Sequence, residues 1–390
     1  MLTFLLKSRS LTFYQTIESK REVLDSSYAN GIASDSTAAL SYSTAGRTNS
    51  FNIQLNDYLT KLNAEKAAVA LKYDLSKPNT LARQEAVRIA WEYEKADIEM
   101  GGSGSADWSE SQKSEILKNG KVVKNAAGGD CPEGHHQKSV AKYPECQADP
   151  NNIKFYKNRE IHLKFGHDGN FQNSSDAPMI DKNKMLQKTN SKRVVKNEFQ
   201  GLGLAVAIGA GLGFTIGFAT SLAMSGITPD SLKLAFAEGG RSGVQAGVLS
   251  AVNYGIGRTI GESATMAVCG MLKNAGLTVS ANLSKMIDIG IIGMLTITVT
   301  SVCQFAKLKL GGLATKDALI RVGKQTMFSL SILAVSIAAQ GIWGGAAGII
   351  VSISIGIIMI TYSVADQVHS RCFAEKIRVY TIEKCYPTFR

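Results

Sequence analysis

The second half of the chain contains three stretches that carry no charged residue. They cover residues 201–229, 289–306 and 326–365. A helix of about twenty apolar residues is long enough to cross a bilayer. The first stretch therefore predicts one candidate span, the second a marginal one, and the third a tight helical pair that turns near residues 341–345. An all-α, hydrophobic region is the expected form of this half.

Two architectures fit these stretches. One is a membrane-embedded helical bundle, and the other is a soluble helical array, rich in Gly and Ala, that buries its apolar faces against itself or against partner subunits. Charged residues between the stretches fit connecting loops in the first case and an outer face in the second. The length and the lack of charge favour membrane association. Small residues at close spacing suit tight helix packing in lipid, at Gly209, Gly211, Gly213 and Gly217.

The same half aligns with itself at an offset of about 87 residues. The aligned pairs include Asp230 with Asp317, Gly257 with Gly344, and Gly261 with Gly348. We infer a duplicated helical unit whose copies begin near residues 201 and 288. Each copy is expected to contain an apolar helix, a short polar turn, an amphipathic helix and a Gly-rich apolar helix.

Residues 1–100 predict a helical and partly low-complexity region. The apolar start is too short for a signal peptide and lacks a small-residue cleavage site, so we expect no cleavable signal. Residues 25–50 are rich in small polar residues and predict a flexible or loosely helical segment. Apolar residues at helical spacing predict two helices, residues 51–73 and 79–100, that pair as an antiparallel hairpin. Packing, dimerisation or contact with a partner is the expected role of the hairpin.

Four of the five histidines lie close together in the middle of the chain. They are His135, His136, His162 and His167. Hydrolysis of a phosphodiester needs a nucleophilic water, a cation for the developing charge and a rigid frame. Histidine can bind a divalent metal as neutral imidazole, and it can also take a proton from water near neutral pH. Because neighbouring side chains of a strand point to opposite sides, His135 and His136 are expected to divide these two tasks.

Several sequence words surround these histidines in a recognisable order. They are Asp107-Trp108-Ser109-Glu110, Glu133-Gly134-His135-His136, Tyr143-Pro144-Glu145, Asp149-Pro150-Asn151-Asn152-Ile153 and His162 through Phe171. Together they resemble the HNH (ββα-metal) endonucleases over residues 108–173. The resemblance is to the GHH subgroup of bacterial polymorphic-toxin nucleases, which is similar to the colicin-type nuclease domains. A ββα fold and a metal-dependent nuclease activity are what this resemblance implies.

The resemblance also implies a role for individual residues. His135 would be a metal ligand and His136 the general base, while Asn152 would fix the loop between the two strands. His162 and His167 would supply the remaining ligands from the helix. These two are five residues apart rather than four, and Gly166 could distort the helix end enough to bring His167 back.

One divalent ion is expected, with Zn²⁺ or Ni²⁺ the better match to three nitrogen ligands and Mg²⁺ or Mn²⁺ also compatible. A structural zinc site is the main alternative. It predicts a saturated ligand shell, which the adjacent pair His135 and His136 fits poorly.

A basic run follows the histidine-containing segment. It predicts a surface that tracks the phosphates of DNA, in a chain whose net charge is +11. The alternatives are a solvated linker and a positively charged flank of the first apolar stretch. The predicted nucleic-acid-binding residues are Lys182, Lys184, Lys188, Lys192, Arg193 and Lys196.

The sequence as a whole predicts an α+β chain. A small ββα-metal nuclease domain at residues 106–175 lies between a helical region at residues 1–100 and a duplicated, hydrophobic all-α region at residues 200–373. Residues 101–105, Gly-Gly-Ser-Gly-Ser, predict a flexible linker at the entry to the nuclease domain. A basic linker at residues 176–199 and a tail at residues 374–390 complete the predicted organisation.

The predicted function is metal-dependent hydrolysis of phosphodiester bonds, with DNA as the expected substrate and RNA as an open alternative. The resemblance implies a bacterial toxin, effector or defence nuclease that is membrane-associated, cytoplasmic or delivered to another cell. An acidic immunity protein and a second copy of the chain are the expected protein partners. In polymorphic toxins the nuclease usually ends the chain, whereas here about half of the chain follows it. The alternative function is a membrane pore or scaffold with a degenerate, metal-stabilised nuclease-like module.

Overall fold

The computed structural model describes residues 40–41, 44–106, 108–122 and 132–342, together with ten single positions between residues 350 and 379. Two compact units divide the chain. One is Gly46–Glu198, which contains the four clustered histidines. The other combines Met1–Ala45 with Phe199–Arg390. The described chain is mostly helical with one small two-stranded sheet, in agreement with the predicted α+β class.

The first unit contains the sheet and the helices around it. Its helices and strands are α1 (residues 44–72), α2 (Thr80–Glu99), α3 (Glu110–Asn119), β1 (Glu133–His136), β2 (Ile153–Tyr156) and α4 (Arg159–Gly166). Two short 3-10 turns, Pro144–Cys146 and Pro150–Asn152, lie between the strands. A long helix, α5 (Lys182–Ser225), begins in this unit.

Polar side chains set where several of these helices begin. Asn79 precedes α2 and accepts hydrogen bonds from the amides of Leu81 and Ala82 at 3.0 and 3.2 Å. Ser109 begins α3 with a reciprocal capping pair to Gln112, and Asn158 caps α4. These caps satisfy amide groups that have no partner inside the helix.

The two predicted N-terminal helices are present and antiparallel. Ion pairs join Lys61 to Glu92 at 3.6 Å and Glu65 to Arg88 at 2.8 Å across α1 and α2. The packing role of α2 is to support the sheet. Trp91 of α2 lies 5.4 Å from Trp108 and 4.0 Å from Phe155 of β2, measured between ring centroids.

The predicted flexible linker at residues 101–105 is wrong. Two carboxylates of α2 hold this segment in a defined turn: Gly104 N donates to Asp97 at 2.9 Å, and Ser105 N donates to Glu94 at 2.7 Å. Gly101 and Gly104 have φ of 88° and 74°, a region that favours glycine. The glycines that suggested flexibility therefore allow a fixed, left-handed backbone conformation.

Strands β1 and β2 form an antiparallel pair in which His135 lies opposite Lys154 and His136 opposite Ile153. Alternation along β1 puts Glu133 and His135 on one side and His136 on the other. The helix α4 packs on the sheet as well. The two adjacent histidines thus lie on opposite faces of one short strand.

The second unit is a series of packed helices. Beyond the apolar part of α5 they are α6 (Pro229–Ile256), a π-helical turn (Gly257–Gly261), α7 (Glu262–Asn274), α8 (Ala281–Leu310) and α9 (Thr315–Ile342). Short turns with glycine at positive φ join α5 to α6 at Gly226 and α8 to α9 at Gly312.

Glycines let α5 and α6 approach closely. A Cβ added to Gly213 of α5 would lie 2.5 Å from the carbonyl oxygen of Ser242, and one added to Gly243 of α6 would lie 2.9 Å from that of Ala210. Each helix therefore presents glycine where the partner's backbone comes near. In α8 and α9 the contact is a conventional apolar core that includes Ile292 and Leu333.

Within the described residues, three helices are long and apolar enough to cross a membrane by length and composition. They contain residues 182–223, 286–310 and 315–339. The predicted turn near residues 341–345, and Gly344 and Gly348 of the predicted repeat, reach beyond α9 into residues outside the described ranges. The predictions for residues 1–39 also lie outside them.

Candidate active site

Three histidines from two elements converge on one point. His135 is on β1, His162 is on α4, and His167 immediately follows α4. One candidate ligand atom from each lies within 4.8 Å of the others. His135 Nδ1 and His162 Nε2 are 2.9 Å apart. The structure therefore brings together the three residues predicted to bind a metal.

Hydrogen bonds orient two of these rings. His162 Nδ1 lies 2.6 Å from Glu133 Oε2, and His167 Nδ1 lies 3.0 Å from the carbonyl oxygen of Asn173. An imidazole that donates its Nδ1–H to such an acceptor keeps its lone pair on Nε2. The arrangement is the one in which metal-binding histidines are usually held.

The chemistry of the three rings fits a divalent cation. Burial first, and then the nearby imidazoles of His162 and His167, lower the pKa of His135 to about 4. His135 is therefore neutral at pH 7. Its Nε2 is buried and has no hydrogen-bond partner among the described residues. Three converging imidazoles can bind a metal ion, and a nitrogen-rich shell suits a borderline-soft ion.

Gly166 makes the triad possible by its lack of a side chain. A Cβ at this position would lie 2.8 Å from His162 Cδ2 and 3.1 Å from His135 Nδ1. The residue after it, His167, has left helical geometry with φ −130° and ψ 14°. Asp168 and Gly169 then reverse the chain with positive φ. The five-residue spacing of the two later histidines is thus met by a helix that stops at Gly166.

His136 occupies a different environment from the triad. Its Nε2 lies 3.3 Å from the carbonyl oxygen of Gln147. Gln147 is fully buried, accepts from Asn79 N at 2.6 Å and donates to Lys77 O at 2.8 Å. The backbone carbonyl of Gln147, which lies against His136, is therefore held in place by the segment before α2.

The electrostatic surroundings keep His136 unprotonated. Burial first, and then the positive charge of Arg83 on α2, lower its pKa to about 4, while the hydrogen bond to Gln147 acts in the opposite direction. When Nε2–H donates to Gln147, Nδ1 carries the lone pair. His136 can therefore accept a proton at Nδ1 at neutral pH.

Asn152 closes the loop between the strands. Its Oδ1 accepts from Lys138 N at 2.6 Å, and its Nδ2 donates to Lys138 O at 3.0 Å and to Cys146 O at 3.1 Å. The side chain is fully buried. These contacts make Asn152 a positioning residue that fixes the end of β1.

The prediction for Lys182 is wrong. Lys182 is fully buried, with its ammonium 3.3 Å from Glu94 Oε1 and 5.7 Å from the ring centroid of Phe155. A buried and paired ammonium cannot reach a phosphate.

Arg193 also has a structural task. Its guanidinium donates to Gln54 and to the carbonyl of Phe51, both of α1, at 2.7 Å each. Arg193 thus holds α5 against α1. The other four predicted cations are exposed on α5 at a spacing of four residues, and they are Lys184, Lys188, Lys192 and Lys196.

The structure adds residues that the sequence analysis did not assign. Glu133 could have been found, because it stands two positions before His135 and must share its face of a strand. Gln147, Asn173 and Arg83 act over long separations in sequence or through backbone atoms, and no local pattern marks them. Phe171 lies over the triad, 5.2 Å from the ring centroid of His167.

Comparison with known families identifies residues 79–157 as matching the family described as a GHH signature containing HNH/Endo VII superfamily nuclease toxin. The chain therefore contains a nuclease-toxin domain of the GHH type, as the sequence predicted. The match contains His135, His136 and Asn152 and ends before α4. It begins at the cap of α2, the helix that supports the sheet.

Curated relatives share a segment of similar size. Teneurin-4 of Homo sapiens is 36% identical over 104 residues, which are 27% of this chain and 3% of the relative. Teneurin-m of Drosophila melanogaster is 31% identical over 103 residues, or 25% of this chain and 4% of the relative. The chain spans only these few per cent of the animal proteins that it matches. No solved structure matches it.

Replacing Glu133 with Ala is expected to weaken zinc binding by about 10- to 100-fold, the usual effect of removing a group that orients a ligating histidine. His162 loses the acceptor that fixes its ring and tautomer. Titration of the full chain against a zinc-chelating dye measures the change. Glu160→Ala is the matched control, since Glu160 is an exposed carboxylate in the first turn of α4. Equal zinc affinity in the wild type and both variants would contradict the role of Glu133.

Proposed function

We propose that the chain is a metal-dependent endonuclease that hydrolyses phosphodiester bonds, with DNA as its main substrate. One observation carries the proposal: three imidazoles converge on a common point within a unit whose core matches a nuclease-toxin family. All three expected ligands and the adjacent His136 are present, whereas a degenerate module would have no reason to retain them together.

The metal is expected to be Zn²⁺ or Ni²⁺, because three imidazole nitrogens suit these ions better than Mg²⁺ or Mn²⁺. When bound, the ion supplies positive charge that polarises the phosphodiester and stabilises the charge on the leaving oxygen. His135, His162 and His167 would hold it. Glu133 and the carbonyl of Asn173 would hold the rings.

His136 would act as the general base. Its Nε2–H is fixed on the Gln147 carbonyl, so Nδ1 is the atom that takes the proton from the attacking water. The pKa of about 4 means that the imidazole is unprotonated at neutral pH. Asn152 contributes by fixing the loop that follows His136, rather than by touching the water.

The exposed lysines on α5 would bind the nucleic-acid backbone. Lys184, Lys188, Lys192 and Lys196 recur every four residues, a spacing of about 6 Å along a helix. Cations along such a row release counterions from a polyanion and give a sequence-independent contact. In this proposal the lysines therefore recognise the phosphate backbone and not the bases. RNA carries the same phosphates, so RNA cleavage is the alternative result of the assays.

The helical second unit would associate with a membrane. Three long apolar helices that the structure describes leave most of their most apolar segments uncovered, with only 28%, 33% and 41% of each segment buried. Large side chains such as Val244, Val302 and Met327 are more than 60% exposed. Lipid would cover such surfaces. A toxin or effector role, in which this unit anchors or delivers the nuclease, is the biological setting that we propose.

His136→Ala is expected to reduce plasmid cleavage by at least about 100-fold, the lower range for loss of a general base, while zinc content is unchanged. The assay uses the full chain stripped with EDTA and reloaded with Zn²⁺, Ni²⁺, Mg²⁺ or Mn²⁺. His369→Ala is the control, because His369 is an exposed histidine outside the cluster. If His136→Ala lost its zinc instead, the assignment of His136 as base would be wrong. Absence of cleavage by the zinc-loaded wild type would reject the nuclease proposal.

Replacing Lys184, Lys188, Lys192 and Lys196 together with Gln is expected to lower the salt dependence of DNA binding. The slope of log K against log salt should fall in magnitude by about 3, since each phosphate contact contributes about 0.7 to 0.9. Fluorescence anisotropy in a His136→Ala background gives the slope without turnover. Gln at Lys61, Lys95 and Lys113, which are paired with carboxylates, provides the control. An unchanged slope in the first variant would remove the lysines from the interface.

Membrane association predicts that the full chain resists extraction by alkaline carbonate. Membranes from expressing cells are washed and separated by centrifugation, and the chain is expected in the pellet. A peripheral membrane protein serves as the marker for the supernatant, and an integral membrane protein serves as the marker for the pellet. Recovery of the chain in the supernatant would contradict the membrane proposal and favour a soluble helical array.

A further inference from the structure

An exposed aromatic ring stands at the edge of the histidine triad. The centroid of Phe171 lies 5.2 Å from that of His167 and 5.9 Å from that of His162. The side chain is 44% exposed. A single exposed apolar residue is ordinary on a protein surface, so its position beside the triad is what distinguishes Phe171.

Phe171 has a cation over its ring. The guanidinium carbon of Arg159 lies 5.0 Å from the ring centroid of Phe171, and Arg159 Nη1 lies 3.7 Å from Glu133 Oε1. The arginine side chain is 69% exposed. Glu133 thus serves the triad through His162 and also holds the arginine. The result is an aromatic ring with a guanidinium group over it, both partly open to solvent.

The segment that presents Phe171 is fixed at both ends. His167 Nδ1 bonds to the carbonyl of Asn173 at 3.0 Å, and Asn173 Nδ2 donates back to the carbonyl of His167 at 3.0 Å. Gln172 N donates to the side chain of Asn170 at 3.0 Å. Because these bonds enclose Phe171 between the triad and Asn173, its ring has a set position relative to the site.

We propose that Phe171, with Arg159 over it, is a stacking platform for a nucleobase next to the scissile phosphate, and that the site therefore prefers unpaired nucleic acid. This inference rests on the proposed nuclease function. Aromatic rings and guanidinium planes bind the π-faces of bases, whatever the base. In a duplex both faces of each base are covered by its neighbours, so only an unpaired or extruded base can use the platform.

The test measures binding in a His136→Ala background of the full, zinc-loaded chain. The probes are fluorescein-labelled oligothymidine, oligouridine, a DNA duplex of the same length, and an abasic phosphodiester chain that keeps the phosphates but has no bases. The variants are Phe171→Leu, which keeps an apolar cover on the triad, and Phe171→Trp, which keeps a ring. Phe165→Leu is the control, because Phe165 is an aromatic residue of α4 that is 63% exposed.

Phe171→Leu is expected to weaken binding of oligothymidine by about 5- to 100-fold, the range for one stacked base, while duplex and abasic-chain affinities stay the same. Phe171→Trp should restore oligothymidine binding, and Phe165→Leu should leave it unchanged. Equal effects on oligouridine would extend the platform to RNA. If Phe171→Leu weakened all probes equally, or lost zinc, Phe171 would be a packing residue and the proposal would be wrong.

Cleavage assays on proteins that keep His136 distinguish a failure of this inference from a failure of the nuclease function on which it rests. The wild type is expected to cleave single strands faster than the duplex, with a lower KM, and Phe171→Leu should remove that difference. If the wild type cleaved DNA but Phe171→Leu bound oligothymidine as tightly as the wild type, the platform would be rejected and the nuclease would stand. If the binding preference were present without any cleavage, the platform would stand and the nuclease would be rejected.

Discussion

The buried ion pair between Glu94 and Lys182 is the interaction on which the rest of the first unit depends. Both side chains are fully buried. Glu94 also accepts hydrogen bonds from Ser105 N, Ser105 Oγ and Trp108 Nε1, at 2.7, 2.6 and 2.9 Å. Removing water from two charges is costly, and such a pair persists only when the remaining acceptors are also satisfied. One carboxylate thereby connects α2, the turn after it, the start of α3 and the start of α5.

This connection reaches the candidate site through packing. Trp108, fixed by Glu94, stacks near Trp91, and Trp91 contacts Phe155 of β2. The sheet therefore rests on a rigid aromatic layer. One four-residue strand, β1, then separates two kinds of chemistry, because its alternation sends His135 toward α4 and His136 toward the segment before α2. A shift of one residue in register would exchange the faces on which His135 and His136 lie.

The sequence predicted those features that depend on local pattern or on the order of motif residues. The histidines, Asn152 and the two N-terminal helices belong to this group. The prediction for Lys182 was wrong because the partner of its side chain lies far along the chain. In the sequence Lys182 is one cation of a basic run, whereas its partner Glu94 is 88 residues away. The flexible linker predicted at residues 101–105 was wrong for a different reason: its acceptors, Asp97 and Glu94, are near in sequence, but a glycine-rich turn held by buried carboxylates has the same composition as a flexible linker. Periodicity and composition do not show which acceptor an amide or an ammonium meets in the fold.

The cations around the site have two effects that share one electrostatic cause. Lys154 lies directly opposite His135 in the sheet, and its charge helps to lower the pKa of that histidine. Arg83 acts in the same direction on His136. Positive charge at these positions disfavours protonated imidazole, so His135 and His136 stay neutral. The same charge attracts a phosphate backbone. Neutral imidazoles and a positive potential that would attract a phosphate backbone therefore have one cause. The nearby carboxylate of Glu133 does not cancel this potential alone, because it is paired with His162 and Arg159.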